Sequence, residues 1–556
     1  MAHTSLFMHA RPTMTMSGVR QLGAFYVGVV LLASCAARLP ALTQDSGNVE
    51  PGNAYQLGMT LLREKRYQNA LQQFKSLERN SPQLPQGYTG EGITLALMGK
   101  LEESIKALNK ALEIDPGFWV ARRELGIIYW QANQKDQAAR ELRKMLALFP
   151  DDPPVNLILA QYEFERSDYA RAAIYFGKAP VQLAADANLS LMAAEAQLKS
   201  GAKAQAREAL EALATSPALN PQQRFHLAWL LGEADDYAKS IQVLESLPSD
   251  YADRFGRGYA IALAYYGEGQ YANCVTTLDE LKRSQMLRPD LFSLLGAAEE
   301  KSGNTLEAYN ALREGIYAFP KDDQNYLNIA ALSAEHLNYD LASQILTSGV
   351  ALMPGDYKLY LACGVVHTLA RRLERAQADY EKALALAPNE GEGYVALGIC
   401  KEDENKYDEA AATFRRGIVQ QPKNALLYYF LADSLLRGGI SVGSPDYQEA
   451  VAAVESSVEL NPEFAHAYLE RARLESMRHQ TDKAFADLEH GHLLAPDSRE
   501  ISYQLAVAYR NIGRTAEAEK LFNTVKEASE KDAEAFRTGQ LKDVIVTMSK
   551  LPGKAQ

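Results

Sequence analysis

Small and bulky apolar residues recur along the chain on a grid of 34 residues. Counted from Pro51, the grid restarts at residues 85, 119, 153, 187, 221, 255, 289, 323, 357, 391 and 425 without insertion or deletion. It resumes at 465, after 40 residues, and again at 499. The eighth slot of successive units reads Gly58, Gly92, Gly126, Ala160, Ala194, Ala228, Ala262, Gly296, Ala330, Gly364, Gly398, Ala432, Ala472 and Ala506. The twentieth slot is equally small, from Ala70, Ser104 and Ala138 through Cys274 to Ala376 and Ala410. Once the extra six residues are skipped, it continues with Ala450, Ala484 and Ala518. Two antiparallel helices approach closely only where their side chains are small, so each unit predicts a helix pair crossing at these two slots. Bulky residues fill the space around the crossing: Leu57, Leu125 and Leu397 one slot before the first small residue, and Phe74, Leu142, Phe176, Leu312, Phe414 and Phe522 four slots after the second. Many units close on proline: Pro82, Pro116, Pro150, Pro320, Pro354, Pro388, Pro422, Pro462 and Pro496. Proline cannot continue a helix and suits the turn into the next unit. Units four to seven carry Ala184, Ala218, Ala252 and Met286 there instead, which leaves their turns less determined.

This 34-residue pattern resembles the tetratricopeptide repeat, a helix–turn–helix unit that stacks into solenoids. The resemblance covers residues 51 to about 528, and repeat three, from Trp119 through Leu125-Gly126 and Tyr129 to Ala138, Leu142 and Pro150, follows it among the most closely. It implies an all-α, right-handed superhelical solenoid of about fourteen repeats. After Val525 the pattern stops, and residues 529–556 read as a charged helix and tail. A solenoid needs a polar cap over its last apolar face, and this segment is expected to supply it.

In this family the first helices line a concave groove, with slots two, five, nine and twelve facing inward. The resemblance therefore implies a binding surface for proteins or peptides. In repeats three to seven it includes Arg123, Ile127, Trp130, Leu157, Phe164, Phe225, Trp229, Tyr259 and Tyr266. In repeats twelve to fourteen it includes Tyr429, Asp433, His466, Leu469, Arg473, Tyr503 and Arg510. Tryptophan, tyrosine and arginine dominate binding energy at interfaces. The competing reading is that these residues pack neighbouring repeats together. Chaperone-binding members grip a C-terminal carboxylate with five polar residues. The best window here carries Ser293, Ala297, Asn328, Lys358 and Ala362, and only the asparagine and the lysine fit, which argues against a chaperone co-factor.

The N-terminus carries a different signal. Arg20 precedes an apolar stretch from Leu22 to Ala33, too short to span a bilayer but suited to export. It runs into Leu32-Ala33-Ser34-Cys35, which resembles the lipobox of bacterial lipoproteins. That resemblance implies a signal peptide over residues 1–34, diacylglycerol on the thiol of Cys35, and a flexible tether over residues 35–50. Cleavage as an ordinary signal peptide near Ala36 or Ala37 is the alternative. The expected location is the bacterial envelope, facing the periplasm, with the outer membrane favoured.

Composition removes several function classes. The 70 acidic side chains outnumber 58 Lys and Arg, for a net charge of -12, and no basic block offers a phosphate-binding surface, so nucleic acid is not expected as a partner. Four cysteines do not make a disulfide framework. Cys363 and Cys400 fall on neighbouring first helices, where they either pair or serve as small buried apolar residues. Gly439-Ile440-Ser441-Val442-Gly443 spells the serine-hydrolase elbow. That motif works only on a strained strand-to-helix turn, so it reads here as a long loop within repeat twelve. His466, His479, His490 and His492 cluster in repeat thirteen without metal-ligand convergence. No cofactor or metal site is expected, and the repeats leave no room for a catalytic domain. The chain thus reads as a non-enzymatic, membrane-tethered scaffold. The alternative is a regulatory or targeting subunit of an enzyme, secretion or polysaccharide-export complex.

Overall fold

The computed structural model describes residues 51–527 and 535–549. The signal segment, Cys35 and the tether lie outside the described residues. Thirty helices and no strand account for the regular structure of the described residues. The first helix of each repeat starts where the sequence grid starts it. Examples are Pro51, Pro85, Trp119, Pro153, Ala187, Pro221, Pro289, Asp323, Tyr357, Gly391, Ala425, Ala465 and Arg499, with repeat seven one residue early at Arg254. Asp152, Asp186, Asn220, Asp253, Asp322, Asp356, Asn424 and Ser498 cap these starts, each side chain accepting from a first-turn backbone N–H that has no partner within the helix.

The turn inside each repeat has a single design. The fifteenth slot is left-handed in all fourteen repeats. Six of these residues are glycine, as at Gly99 (φ 79°) and Gly303 (φ 80°), and eight are not, as at Asn133 (φ 57°), Leu337 (φ 58°) and Arg371 (φ 58°). A left-handed residue just past a helix end returns backbone N–H groups to the last turn and reverses the chain.

The helix crossing is as close as the small slots require. Ser104 Oγ donates to the Gly92 carbonyl at 2.7 Å, and Ser240 Oγ to the Ala228 carbonyl at 2.7 Å, so slot twenty lies directly on the backbone of slot eight. A Cβ added to the slot-eight glycine would strike the bulky residue sixteen positions on. It would lie 2.6 Å from Phe74 at Gly58, 2.6 Å from Leu108 at Gly92, 2.4 Å from Tyr380 at Gly364 and 2.1 Å from Phe414 at Gly398. Where closing prolines are present, the carbonyls of Pro320, Pro388, Pro422 and Pro462 accept from the hydroxyls of Tyr326, Tyr394, Tyr428 and Tyr468 at 2.9–3.2 Å. Two of the four repeats without them deviate. The second helix of repeat four shrinks to Tyr169–Phe176 and is followed by a short extra helix, Pro180–Ala185. That of repeat six is Tyr237–Glu245.

The chain forms two compact units, one ending at Gly269 and one beginning at Gln270. Within each, the repeat helices pack on their partners and on the adjoining repeat, and most first helices also pack on the first helix one repeat away. The second helices meet this way mainly at repeats five and six, so within each unit the first helices form the inner face. Ion pairs about one period apart join successive repeats: Lys199–Glu233 at 2.6 Å in the first unit, and Lys358–Asp323 and Arg371–Asp403 at 3.0 Å in the second. Cys274, Cys363 and Cys400 are buried free thiols. Burial pushes them up to about 12, 12 and 11, so all three stay protonated and apolar in behaviour.

The C-terminal helix, Ala535–Ser549, departs from expectation. Instead of covering the last apolar face, it packs on the first helices of repeats nine, ten and eleven, Asp323–Glu335, Tyr357–Leu369 and Gly391–Asp403. The physical reason is its apolar stripe: Leu541, Val544 and Ile545 are buried in one cluster with the apolar residues of those repeats.

Candidate partner-binding surface

The inner face of the first unit is more closed than the sequence suggests. Arg123 is buried, 2.7 Å from Glu124 and 3.1 Å from Asp152, which neutralises it. Phe164 is buried edge-on to Tyr169, with ring centres 5.4 Å apart. Phe225 stacks on Tyr251 at 5.7 Å, and Tyr259 on Phe255 at 5.6 Å. Buried Trp229 donates through Nε1 to Glu233 Oε1 at 3.3 Å, and Tyr266 is buried too. The expected exposed aromatic patch of repeats three to seven is therefore corrected. Slots five, nine and twelve lie on the side where neighbouring first helices touch, and large rings are buried there. Trp130 alone of this set stays half-exposed, with Lys135 Nζ 5.0 Å above its ring.

In the second unit Tyr429 is buried against Phe464 and Phe430, which corrects it likewise. Arg473 is half-buried and bridges Glu470, at 2.7 Å, and Glu500. Tyr503 is exposed, as is Arg510, whose guanidinium lies 5.6 Å from the Phe522 ring centre. Along the same face Ser434 Oγ donates to Glu402, and Arg437 Nε to Asp433 at 2.8 Å. Glu470 is fully buried, and its Oε2 has no partner within the structure. Burial, with neighbouring Asp433 adding to it, pushes this carboxyl up to about 8. It is therefore mostly protonated at neutral pH.

Sequence reasoning missed one polar constellation. Ser343 Oγ lies 2.9 Å from His367 Nε2, and His367 Nδ1 lies 2.7 Å from Asp379 Oδ2. This is the order of a hydrolytic triad. A triad also needs preorganised donors at the developing oxyanion. Ser343 is buried in the middle of a helix, Tyr339–Leu352, whose backbone N–H groups are spent along the helix. The relay ties three successive helices together. The elbow-like segment is a loop, with Gly439 at φ 86° and Gly443 at φ 92°. The carboxylate-clamp positions are engaged internally as well: Lys358 with Asp323, and Asn328 with Gln324 Nε2 at 2.9 Å. Among the described residues no group of three or more His, Cys, Asp or Glu is placed to hold a metal ion.

A left-handed turn at the same slot of every unit, and small residues at one crossing, are how tetratricopeptide units close on themselves. Two tetratricopeptide repeat family models match the sequence, one over residues 95–162 and 477–540, the other over 55–118, 370–425 and 395–443. The chain is a tetratricopeptide repeat protein. The matches skip repeats five to nine, a stretch where three closing prolines are lost, yet the same helix pairs continue through it. Several solved tetratricopeptide-type chains are similar to this one. Naa15/Naa10 bound to HypK-THB is 16% identical over 90% of this chain and 79% of that one, with a TM-score of 0.34. Yeast Tom70 is 16% identical over 84% and 96%, TM-score 0.37. The APC/C hetero-tetramer Cut9-Hcn1 gives 13% over 94% and 99%, TM-score 0.35. No curated protein matches the sequence significantly. Tetratricopeptide repeats build protein-interaction scaffolds, and this chain is built of them.

Proposed function

We propose that this tetratricopeptide protein is a scaffold of the bacterial envelope, lipidated at Cys35 and facing the periplasm, that holds partner proteins on the inner faces of its repeats. The observation that carries this reading is continuity. Helix pairs follow one another from Pro51 to Glu527 with no other module between them. The lipobox Leu32-Ala33-Ser34-Cys35 behind a short apolar core supports the anchor. No described helix is long and apolar enough to cross a membrane, so attachment would come through the acyl chain. Of the groove residues, the accessible ones are Trp130, His466, Arg473, Tyr503 and Arg510, and these are the positions through which a partner would be felt. Mass spectrometry of the mature N-terminus tests the anchor. A diacylglyceryl cysteine at position 35, with membrane association lost in Cys35→Ser, is the expected result, and an unmodified N-terminus beyond Cys35 contradicts it. A pull-down from solubilised membranes, repeated with Trp130→Ala and with Tyr503→Ala/Arg510→Ala, tests the binding face. Capture that no variant weakens would place the partner elsewhere.

A further inference from the structure

The C-terminal helix lies across three successive first helices, and its docking has the chemistry of a ligand in a site. Leu541, Val544 and Ile545 are buried, and Met548 packs against the same apolar cluster. These four stand at i, i+3, i+4 and i+7, one stripe of a helix. Slots five and nine of repeats nine to eleven hold Leu327, Ala331, Leu361, Val365, Val395 and Ile399, all buried. This aliphatic floor has defined ends. The same slots hold Ser293 and Ala297 in repeat eight, and Tyr429 and Asp433 in repeat twelve. Three first helices spaced about 8–10 Å apart present a strip about 20–30 Å long. A helix of 15 residues is about 22 Å long. The rim contributes a polar stop: Gln324 Nε2 donates to the Met548 carbonyl at 3.4 Å, one of the last-turn carbonyls that a helix leaves without a partner.

The helix itself is an addition to the repeats. It stands outside the repeat register, seven residues beyond the last repeat helix. Among its described side chains Leu541, Val544 and Ile545 are the buried ones. A free helix of this length is marginal in water, so its order comes from docking.

We propose that the inner face of repeats nine to eleven is a helix-binding site that the C-terminal helix occupies as a built-in competitor. A partner presenting an amphipathic helix with aliphatic residues at i, i+3, i+4 and i+7 displaces it. The proposal rests on the scaffold reading and adds which face binds, what chemistry it takes and what regulates it. The tethered copy is present at an effective concentration in the millimolar range, so a partner must bind well to win.

The test uses the full chain and a fluorescein-labelled peptide of residues 535–549. Wild type should bind the peptide weakly. The chain carrying Leu541→Asp and Ile545→Asp should bind it about tenfold tighter or more, because its own helix no longer competes. A peptide with the same two substitutions should not bind. Far-UV circular dichroism of the variant should report folded repeats, and a photo-crosslinker at the peptide's Met548 should label repeats nine to eleven. Equal binding to both chains, no binding to the folded variant, or crosslinks elsewhere overturns the site. A concentration-dependent wild-type dimer that the double substitution dissociates would mean that the helix fills a second copy, and it overturns the built-in competitor. If the variant captures membrane partners but not the peptide, the site falls and the scaffold stands. If it binds the peptide but no protein partner, the scaffold reading falls and the site stands.

Discussion

Leu337 sits at φ 58° with two-thirds of its surface exposed, so a branched side chain occupies a backbone conformation that costs L-residues about 1–2 kcal/mol. Glycine removes that strain but gives back part of it through chain entropy. Leu337→Gly is therefore expected to stabilise repeat nine by about 0.5–1 kcal/mol, read as slower amide exchange in residues 323–352. Gly364 is the opposite case. Its missing Cβ is occupied by the Tyr380 ring, which is fully buried and hydrogen-bonded to Thr368 at 3.0 Å, so it cannot move aside. Gly364→Ala should destabilise by about 1–3 kcal/mol. Repeats with alanine in that slot often carry leucine opposite, as with Ala330 and Leu346. Adding Tyr380→Leu should thus recover part of the loss, a coupling that a double-mutant cycle measures. Glu470 gives a pH prediction. Folding raises its carboxyl from 4.5 to about 8, so between those values the folded chain keeps a proton that the unfolded chain has released. Its contribution is greatest below 4.5 and is lost as pH rises through about 8. Glu470→Gln should flatten the stability profile across that window, and it should be more stable than wild type above it. Urea midpoints at pH 5 and pH 9 decide this.

At the scale of helices, the period was legible to the residue because close packing admits only small side chains at two slots, and that demand repeats fourteen times. The fifteenth slot was not legible. Eight of its residues are not glycine, and Lys65, Asn133 or Arg371 announce no turn when read alone. Inner-face aromatics were misjudged because slots five and nine serve two masters, the open groove and the contact between neighbouring first helices. Trp229 and Tyr259 satisfy the second. The same ambiguity hid the place of the C-terminal helix, since a cap and a groove ligand both require one apolar stripe. The unbroken aliphatic run in slots five and nine of repeats nine to eleven was the signal that distinguishes them. In two of four repeats the missing prolines did announce weak geometry. The second helices of repeats four and six, of eight and nine residues, should exchange amide protons fastest among the second helices of the first unit, as hydrogen–deuterium exchange would report.

For the whole molecule, stability is a sum over neighbours. The damage from Gly364→Ala should stay near repeats nine to eleven and leave exchange in repeats one to six unchanged. A uniform loss across both units would mean that the chain unfolds as one body. The insertion in repeat twelve bears on the same point. Its six extra residues fall between the helices Ala425–Arg437 and Pro445–Leu460, with left-handed Gly439 and Gly443 and an exposed Val442. The stack resumes at Ala465 in register, because each interface is set by contact and not by residue count. One residue added inside a helix would instead swing every later side chain of that helix through about 100°. Natural length variation has therefore already marked where foreign sequence is tolerated. A fluorescent reporter or an affinity handle spliced in at Val442 should ride on the outside of the chain, giving a label that tracks the protein without altering what it holds.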